Sequence, residues 1–142
     1  MLVYELMNPA VVSVATTDTA VTASRLLARH NIGAVPVTGD GGGLRGILTD
    51  RDIVTRCIAA ELDPADTLCG EIMTRSVVTV TADDDIREAA RKMSAARVRR
   101  TPVTRGGHLV GMLSLGDMAR HPNYDMEASR ALSEISSNIR RL

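Results

Sequence analysis

Two short segments of the sequence place a glycine, a hydroxyl and a carboxylate at the same spacing. The first begins at Gly46 and contains Thr49 and Asp52, and a weaker counterpart contains Ser114 and Asp117. Both fit the capping box, in which the hydroxyl accepts from an amide of the first helical turn and the carboxylate accepts from the N-cap amide. A carboxylate at a strand end can also accept hydrogen bonds from both hydroxyls of a ribose. The residues alone leave both interpretations open, and one pair of side chains can serve both.

A run of basic residues precedes the second segment. Between Arg91 and Arg105 the chain has six cationic and no acidic residues, and Arg99 and Arg100 stand directly before Thr101. Strand alternation would send Arg99 and Arg100 to opposite faces. Adjacent guanidinium groups can bind phosphate, but a run of charge is also typical of a solvated surface. Both interpretations stay open at this stage.

The two segments belong to a duplication that covers most of the chain. A shift of 66 residues aligns Met7 with Met73, and a shift of 65 aligns Thr49 with Ser114. The difference of one residue falls in a glycine-rich turn, where a change of length is tolerated. A period this long that occurs twice predicts two similar modules packed together rather than a solenoid.

Each copy shows the same order of structural patterns. β-branched runs predict first strands at Val11–Val14 and Val77–Val80, each followed by a helix that ends near residues 31–33 or 96–97. Two strands joined through glycines and a second helix come next, and in the first copy this helix is predicted from Asp50 to about Leu62. A proline in the strand after the first helix favours an edge strand or the first residues of a strand. The predicted fold is α/β, with β-α-β-β-α repeated.

The duplication also predicts the domain boundaries. Residues 1–62 form the first repeat, residues 71–121 the second, and residues 61–70 the linker. Residues 122–142 are predicted to form an amphipathic C-terminal helix that either docks on its own domain or makes a dimer contact. The apolar stripe of this helix consists of Met126, Leu132, Ile135, Ile139 and Leu142.

Composition excludes several classes of protein. The chain has 142 residues, 44% of them hydrophobic, a net charge of zero and no Phe or Trp, which argues for a globular protein and against nucleic-acid binding. No apolar run approaches the roughly 18 residues of a membrane helix, and no signal peptide is evident, so a cytoplasmic location is predicted. Cys57 and Cys69 lie twelve residues apart and the histidines are scattered. Reduced structural thiols are therefore predicted, with no metal site.

In their order and duplication, these motifs resemble a cystathionine β-synthase (CBS) domain pair, or Bateman module, of the small stand-alone bacterial type. The resemblance covers about residues 5–121. It implies tandem CBS repeats packed as a pseudo-twofold pair, with clefts between the repeats that bind adenosine-containing ligands such as AMP, ADP, ATP, NAD or S-adenosylmethionine. No cofactor is required.

The resemblance also implies roles for particular residues. Asp52 and Asp117 would accept from ribose hydroxyls, with Thr49 and Ser114 near the ribose or phosphate. The base pocket would be lined by a strand with a central proline, and the first strand would offer backbone contacts to the base. The residues so implied are Val35, Pro36, Thr101 and Pro102 on the proline strands and Ser13, Val14, Thr79 and Val80 on the first strands.

The implied function is a non-enzymatic sensor that acts as a homodimer and signals to an unknown protein partner through a change of inter-module arrangement. No nucleophile with a positioned base is evident, which argues against an enzyme. The second copy carries Arg99 and Arg100 where the first has Gly33 and Ala34, so the two clefts are expected to bind unequally. The alternative is a structural or protein-interaction dimerisation module with vestigial clefts, whose Thr and Asp residues only cap helices.

Overall fold

The computed structural model describes residues 1–139, with side chains described for residues 1–136. Its strands are β1 (Val14–Ala15), β2 (Ala34–Thr38), β3 (Leu44–Thr49), β4 (Val80–Thr81), β5 (Arg100–Arg105) and β6 (His108–Ser114). Its helices are α1 (Val3–Leu6), α2 (Ala20–His30), α3 (Asp50–Ile53), α4 (Cys69–Ile72), α5 (Ile86–Ala96), α6 (Leu115–Ala119) and α7 (Asp125–Ile139). The predicted α/β class and the repeated β-α-β-β-α order are confirmed.

The chain forms two compact units. Val12–Val77 makes up one, which we call the first-repeat unit, and Met1–Val11 together with Val78–Leu142 makes up the other, the second-repeat unit. The first eleven residues therefore belong with the second repeat. No described helix is both long and apolar enough to cross a membrane.

The first-repeat unit is built on a three-stranded sheet in the order β1-β2-β3. β1 runs parallel to β2, and β2 runs antiparallel to β3. Alternation along β2 and β3 points Val35, Val37 and Leu48 into a core that they share with Ala23 of α2, and all four are fully buried. Thr74 pairs with Ile47 on the outer edge of β3.

The second-repeat unit repeats this plan with a sheet in the order β4-β5-β6. Here Val103, Leu113 and Met93 fill the core and are fully buried. The outer edge of β6 pairs with Asn8, which occupies the place that Thr74 has in the other unit. Segments that precede each repeat thus complete the sheets, and α1 contributes the fully buried Val3 to this core.

Capping side chains set the limits of the two long helices within the repeats. Thr19 accepts a hydrogen bond from the Thr22 amide at the start of α2, and Asp85 accepts one from the Arg87 amide at the start of α5. Both helices end on a residue in the left-handed conformation, Asn31 after α2 and Arg97 after α5. The predicted helix ends are confirmed.

The first strands are shorter than predicted. Only Val14 of the run Val11–Val14 and only Val80 of the run Val77–Val80 belong to a strand. The parallel ladder between β1 and β2 has just two residue pairs and begins at Val14 and Val37, so the residues before Val14 have no neighbouring strand to pair with. A β-branched run predicts extended chain, but the partner determines where a strand starts.

The prediction for Pro36 is wrong, since this residue lies in the middle of the central strand. Ile47, opposite Pro36, exchanges both backbone hydrogen bonds with Thr74, so its N–H and C=O point away from β2. The nitrogen of Pro36 consequently faces the β1 side, where pairing starts only at Val37. No ladder bond is lost, and the same holds for Pro102 opposite Met112 in the other sheet.

The second helix of the first repeat is shorter than predicted and changes type. α3 continues into a π-helical segment, Val54–Ile58, in which the Ala59 amide donates to the Val54 carbonyl. The chain then turns and reaches a left-handed residue at Glu61, so the helix does not extend to Leu62. In the predicted linker, Thr67 and Cys69 are buried, and Cys69 begins α4.

The C-terminal helix docks on its own unit. α7 packs against α5 and α6, with Ala128, Ala131 and Ile135 buried. Met126 belongs to the predicted stripe, but it is 74% exposed, because Ala128, Ala131 and Ile135 form the buried contact face instead. Leu132 is partly buried against the core, whereas Leu142 and the side chain of Ile139 lie outside the described residues.

Candidate functional site

The glycine-hydroxyl-carboxylate segment of the first repeat forms a complete capping box. Thr49 is the last residue of β3 and the N-cap of α3. Its Oγ1 accepts from the Asp52 amide at 3.0 Å, and Asp52 Oδ2 accepts from the Thr49 amide at 3.1 Å. The capping interpretation is confirmed for this copy.

Two further groups contact the Asp52 carboxylate. Thr74 Oγ1 donates to Asp52 Oδ2 at 3.3 Å, and Arg56 Nη2 lies 3.5 Å from Asp52 Oδ1. Arg56 also donates to the Ile72 carbonyl at 3.0 Å, which holds the guanidinium in place. Asp52 is only 7% exposed. Both carboxylate oxygens are thus engaged by the protein itself.

The corresponding carboxylate of the second repeat is more open. Ser114 Oγ accepts from the Asp117 amide at 3.0 Å, so the hydroxyl caps α6 as predicted. Among the described residues, the Ser114 amide donates no hydrogen bond to the Asp117 carboxylate, so the capping box is half formed. Within residues 1–136, the only ion-pair neighbour of Asp117 is Arg120, whose Nη1 lies 3.7 Å from Asp117 Oδ1. The Asp117 side chain is 28% exposed.

The structure brings the paired arginines to this half-formed cap. Arg100 pairs with Ser114 across the β5–β6 ladder, and the Arg99 carbonyl accepts from the Leu115 amide at 3.0 Å. Side chains directly opposite in an antiparallel ladder share a face of the sheet, so Arg100 and Ser114 lie on the same side.

These arginines are exposed and available to a ligand. Arg97, Arg99 and Arg100 have no carboxylate in ion-pair contact anywhere in the described residues. The first repeat has neither charge, because Ala34 pairs with Thr49, and the Gly33 carbonyl accepts from the Asp50 amide. We call the region where β6 leads into α6, beside the start of β5, the strand-to-helix edge of the second repeat. It carries exposed cations, whereas the matching positions of the first repeat carry none.

The residues implied to line a base pocket have mixed surroundings. Pro36 and Pro102 are buried on the face opposite the core valines, whereas the side chains of Val14 and Val35 lie in the hydrophobic core, so only their backbone is available to a ligand. Thr101 is fully buried and its hydroxyl donates to the Val78 carbonyl at 2.6 Å.

The first-strand positions differ in exposure. Ser13 is exposed, Thr79 is half-buried and Val80 is fully buried in the core of the second-repeat unit. The backbone contacts that the resemblance implies at these positions remain predictions.

Both cysteines are free and buried. Burial, with a smaller contribution from the charge of Asp18, raises the pKa of the Cys69 thiol to about 11, so this thiol is protonated at neutral pH. Its Sγ lies 3.5 Å from the Thr19 carbonyl. Within the described residues, no three His, Cys, Asp or Glu side chains are grouped so as to hold a metal ion.

Sequence reasoning missed Arg56 and Thr74, which together decide the surroundings of Asp52. Arg56 had a visible signal, since it follows Asp52 by four residues on a predicted helix. Thr74 had none, because the contact spans 22 residues and depends on the pairing of Thr74 with Ile47.

Comparison with known proteins identifies several relatives. Hypoxic response protein 1 of Mycobacterium tuberculosis is 40% identical over 117 residues, which cover 82% of each chain. CBS domain-containing protein YhcV of Bacillus subtilis is 34% identical over 134 residues, which cover 94% of each chain.

Solved structures show the same fold. A crystal structure of Hypoxic Response Protein I with two coordinated zinc ions has a TM-score of 0.78 at 37% identity, covering 85% of this chain and 98% of that one. The CBS domain pair of MJ0100, in complex with 5'-methylthioadenosine and S-adenosyl-L-methionine, has a TM-score of 0.71 at 28% identity, with coverage of 84% and 94%. CBSX2 in complex with AMP has a TM-score of 0.73 at 25% identity, with coverage of 84% and 93%.

The family assignment rests on both halves of the chain. The CBS domain model matches residues 3–58 and again residues 69–124, so it accounts for each of the two repeats. Two copies of one domain, each with a three-stranded sheet of the same order, also agree with the tandem repeats predicted from the sequence. This chain belongs to the CBS domain family.

Proposed function

We propose that this protein is a non-enzymatic regulatory module that binds an adenosine-containing nucleotide at the strand-to-helix edge of its second repeat. The observation that carries the proposal is the partly exposed carboxylate of Asp117 at a half-formed cap, whose N-cap residue Ser114 lies opposite the exposed Arg100 in the β5–β6 ladder. A carboxylate that accepts from ribose hydroxyls and arginines that bind phosphate are complementary to the two polar parts of a nucleotide.

Relatives of the same fold support an adenosine ligand. MJ0100 was crystallised with 5'-methylthioadenosine and S-adenosyl-L-methionine, and CBSX2 with AMP. The exposed Arg99 and Arg100 of the second repeat favour a ligand that carries phosphate over S-adenosylmethionine, so AMP, ADP, ATP and NAD are the first candidates.

Signalling would follow from a change in how the modules are arranged. A ligand shifts such an equilibrium only by its difference in affinity for the two arrangements. We propose a cytoplasmic homodimer that passes the change to a protein partner, with no nucleic-acid or membrane ligand and no required cofactor.

A second function, that of a structural or protein-interaction module, is favoured by the first repeat. There both oxygens of Asp52 are engaged by Thr49, Arg56 and Thr74, as expected of a carboxylate that only holds the fold together. If the second repeat behaves in the same way, its Ser114 and Asp117 are also no more than a helix cap.

A thermal-shift experiment separates the two functions. The protein is heated with AMP, ADP, ATP, NAD, S-adenosylmethionine or cyclic dinucleotides, and a ligand at about 100 times its Kd should add roughly 2.7 kcal/mol of stability. We expect Asp117→Asn to weaken binding about tenfold or more, and Asp52→Asn to leave it almost unchanged. No shift with any ligand at millimolar concentration would overturn the nucleotide proposal and favour the structural module.

Ligand variants provide the matched controls. 2'-Deoxy-AMP lacks one ribose hydroxyl and tests the contact with Asp117, and adenosine lacks phosphate and tests the arginines. Arg100→Ala should weaken AMP much more than adenosine. Equal weakening of both would show that Arg100 does not contact the phosphate.

A further inference from the structure

An open cavity lies between α5 and α7 in the second-repeat unit, and we call it the α5–α7 cavity. Its volume is about 400 Å³. Small-molecule sites occupy about 300–1,000 Å³, so the cavity suits a small ligand. The wall on the α5 side consists mainly of Arg87, Ala90, Arg91 and Ser94. Their spacing of three and four residues places them on one face of the helix.

The facing wall, on α7, has the same pattern. It consists of Glu127, Arg130, Ala131 and Glu134, again on one face of the helix. Ala131 and Ala90 are 4% and 5% exposed, so they form an apolar floor. On both helices, long polar or charged side chains flank an alanine, whose single methyl group leaves the space between the helices unfilled.

The carboxylates of the cavity are engaged by the protein itself. Arg87 Nε lies 3.4 Å from Glu127 Oε1, and the Arg87 guanidinium carbon lies 5.8 Å from the centre of the Tyr124 ring. Ser94 donates a hydrogen bond to the Glu134 carboxylate. Because both glutamates have protein partners, the cavity does not favour a cationic ligand.

Two arginines of the cavity are available to an anion. Arg130 is exposed, and within residues 1–136 no carboxylate makes an ion pair with it. Arg91 Nη1 lies 2.6 Å from Glu88 Oε2, but these side chains are 72% and 53% exposed, so water screens the pair and a ligand can compete for Arg91. Among the described residues, three arginines and two glutamates line the cavity, which leaves one positive charge unbalanced.

The first repeat has the matching helix but not the cavity wall. At the shift of 66 residues, Arg25 of α2 aligns with Arg91, and Ser24 aligns with Ala90. Every residue of the first-repeat unit is described, and apart from α2 its helical segments have only three to five residues. That unit therefore has no counterpart of α7, and the cavity comes from α7 rather than from the repeat.

We propose that the α5–α7 cavity binds a small amphiphilic monoanion, a carboxylate with a short apolar body. The carboxylate accepts hydrogen bonds from Arg130 and Arg91, whose planar donor groups suit it, and the apolar body lies on Ala90 and Ala131. One negative charge balances the one excess positive charge of the lining. This inference goes beyond the proposed function, because the site does not use Asp117 or the strand-to-helix edge.

Titration of the full chain with octanoate, followed by the amide signals in NMR spectra, tests the ligand class. We expect saturable shifts in α5 and α7. Octan-1-ol has the same chain length but no charge, and it should bind at least about tenfold more weakly, because it forms no charge-assisted hydrogen bonds. Octanol that binds as well as octanoate would overturn the proposal. So would the absence of saturable shifts in α5 and α7 with both octanoate and phenylacetate.

A pair of arginine variants tests the anion contact. Arg130→Gln should weaken octanoate about tenfold, since it removes the charged donor. Arg25→Gln is the matched control, because Arg25 is also exposed and aligns with Arg91 but lies in the repeat without the cavity. It should bind octanoate like the wild type. An Arg130→Gln variant with wild-type affinity, or equal weakening in both variants, would overturn the proposal.

Ala95→Leu tests the cavity without a change of charge. Ala95 lines the cavity and is exposed, so a larger side chain there occupies the cavity and leaves the core untouched. The variant should unfold thermally like the wild type and bind octanoate at least about tenfold more weakly, because the apolar body loses its place. Undiminished binding would place the anion outside the cavity and overturn the proposal.

AMP distinguishes this site from the proposed nucleotide site. Octanoate should bind equally well with and without AMP. Octanoate shifts in a chain that binds no nucleotide would overturn the proposed function and leave the α5–α7 cavity as a site. Nucleotide binding without octanoate shifts would do the reverse. Displacement of octanoate by AMP would show one shared site and would overturn the inference of a separate one.

Discussion

The two repeats share a backbone plan but use the same acidic residue differently. In the first repeat, Asp52 is buried and accepts from Thr49 and Thr74. In the second, Asp117 is partly exposed and its hydroxyl partner Ser114 makes only half of the capping box. A helix cap and a ligand site can share one motif, and the surrounding groups decide which use remains available. Duplication thus gives the chain one copy of the motif whose carboxylate is enclosed and one whose carboxylate is open.

Removal of the Asp52 or the Asp117 carboxylate should give the largest difference in stability between the two repeats. We expect Asp52→Ala to lower the free energy of unfolding by about 2–3 kcal/mol, because it leaves the Thr74 hydroxyl and the Thr49 amide without their acceptor. Asp117→Ala should lower it by only about 0.5 kcal/mol, as at most surface positions. Urea unfolding of both variants measures the difference. Equal losses would show that the two carboxylates have the same structural role.

Substitution of the first glycine of each glycine-hydroxyl-carboxylate segment should give the next largest difference in stability between the repeats. A Cβ on Gly46 would lie 2.5 Å from the Thr74 carbonyl oxygen, whereas one on Gly111 would lie 2.5 Å from the sulfur of Met7, at the end of a flexible side chain. We expect Gly46→Ala to cost about 2–3 kcal/mol and Gly111→Ala about 1 kcal/mol, since backbone yields less than a methionine. Thermal unfolding checks this order. The opposite order would mean that the Thr74 segment moves more easily than Met7.

Loss of the two capping hydroxyls should have nearly equal effects. Thr49→Ala and Ser114→Ala each remove one acceptor from a helix amide, at 3.0 Å in both repeats, and each should cost about 1 kcal/mol. Thr49→Ser serves as the control that keeps the hydroxyl. A much larger loss for Thr49→Ala, measured by urea unfolding, would show that the first cap does more than hold one amide.

Asp84, in the turn after β4, should make a small contribution to stability that depends on pH. The Thr81 amide, with a smaller contribution from Lys92, holds the pKa of Asp84 below its usual value. This carboxylate therefore adds stability above the pKa it has in the unfolded chain, and the added stability disappears as the pH falls through its folded value. The Asp84→Asn variant should be less stable than the wild type at about pH 7 and similar to it at about pH 2. Urea unfolding at both values tests the sign.

Local patterns predicted the fold well where local chemistry sets the structure. The ends of α2 and α5 follow from residues within one turn, and the duplication is visible in the alignment of Met7 with Met73. The strand lengths and the place of Pro36 were not predictable in this way. They depend on Thr74 and Val14, which reach the sheet from distant parts of the chain.

The candidate site shows the same limit. The sequence indicated Asp52 and Asp117 as equivalent residues and identified Arg99 and Arg100 as one difference between the copies. It did not show that Thr74 would donate a hydrogen bond to the Asp52 carboxylate. Nor did it show that the Asp117 carboxylate would stay more open. A motif specifies which groups are present, but the competing partners of those groups are set by tertiary contacts.

The place of the first eleven residues has a consequence for the order of folding. The first-repeat unit is continuous in sequence, from Val12 to Val77, so a growing chain can complete it during synthesis. The second-repeat unit needs Met1–Val11, which precede the first-repeat unit in the sequence, together with β6, which follows it. Closing so long a loop is slow, because its entropy is lost before the contact forms. Residues 1–11 therefore wait without their partner strand until β6 has been made, and Val3, which is fully buried in the folded unit, is exposed during that time.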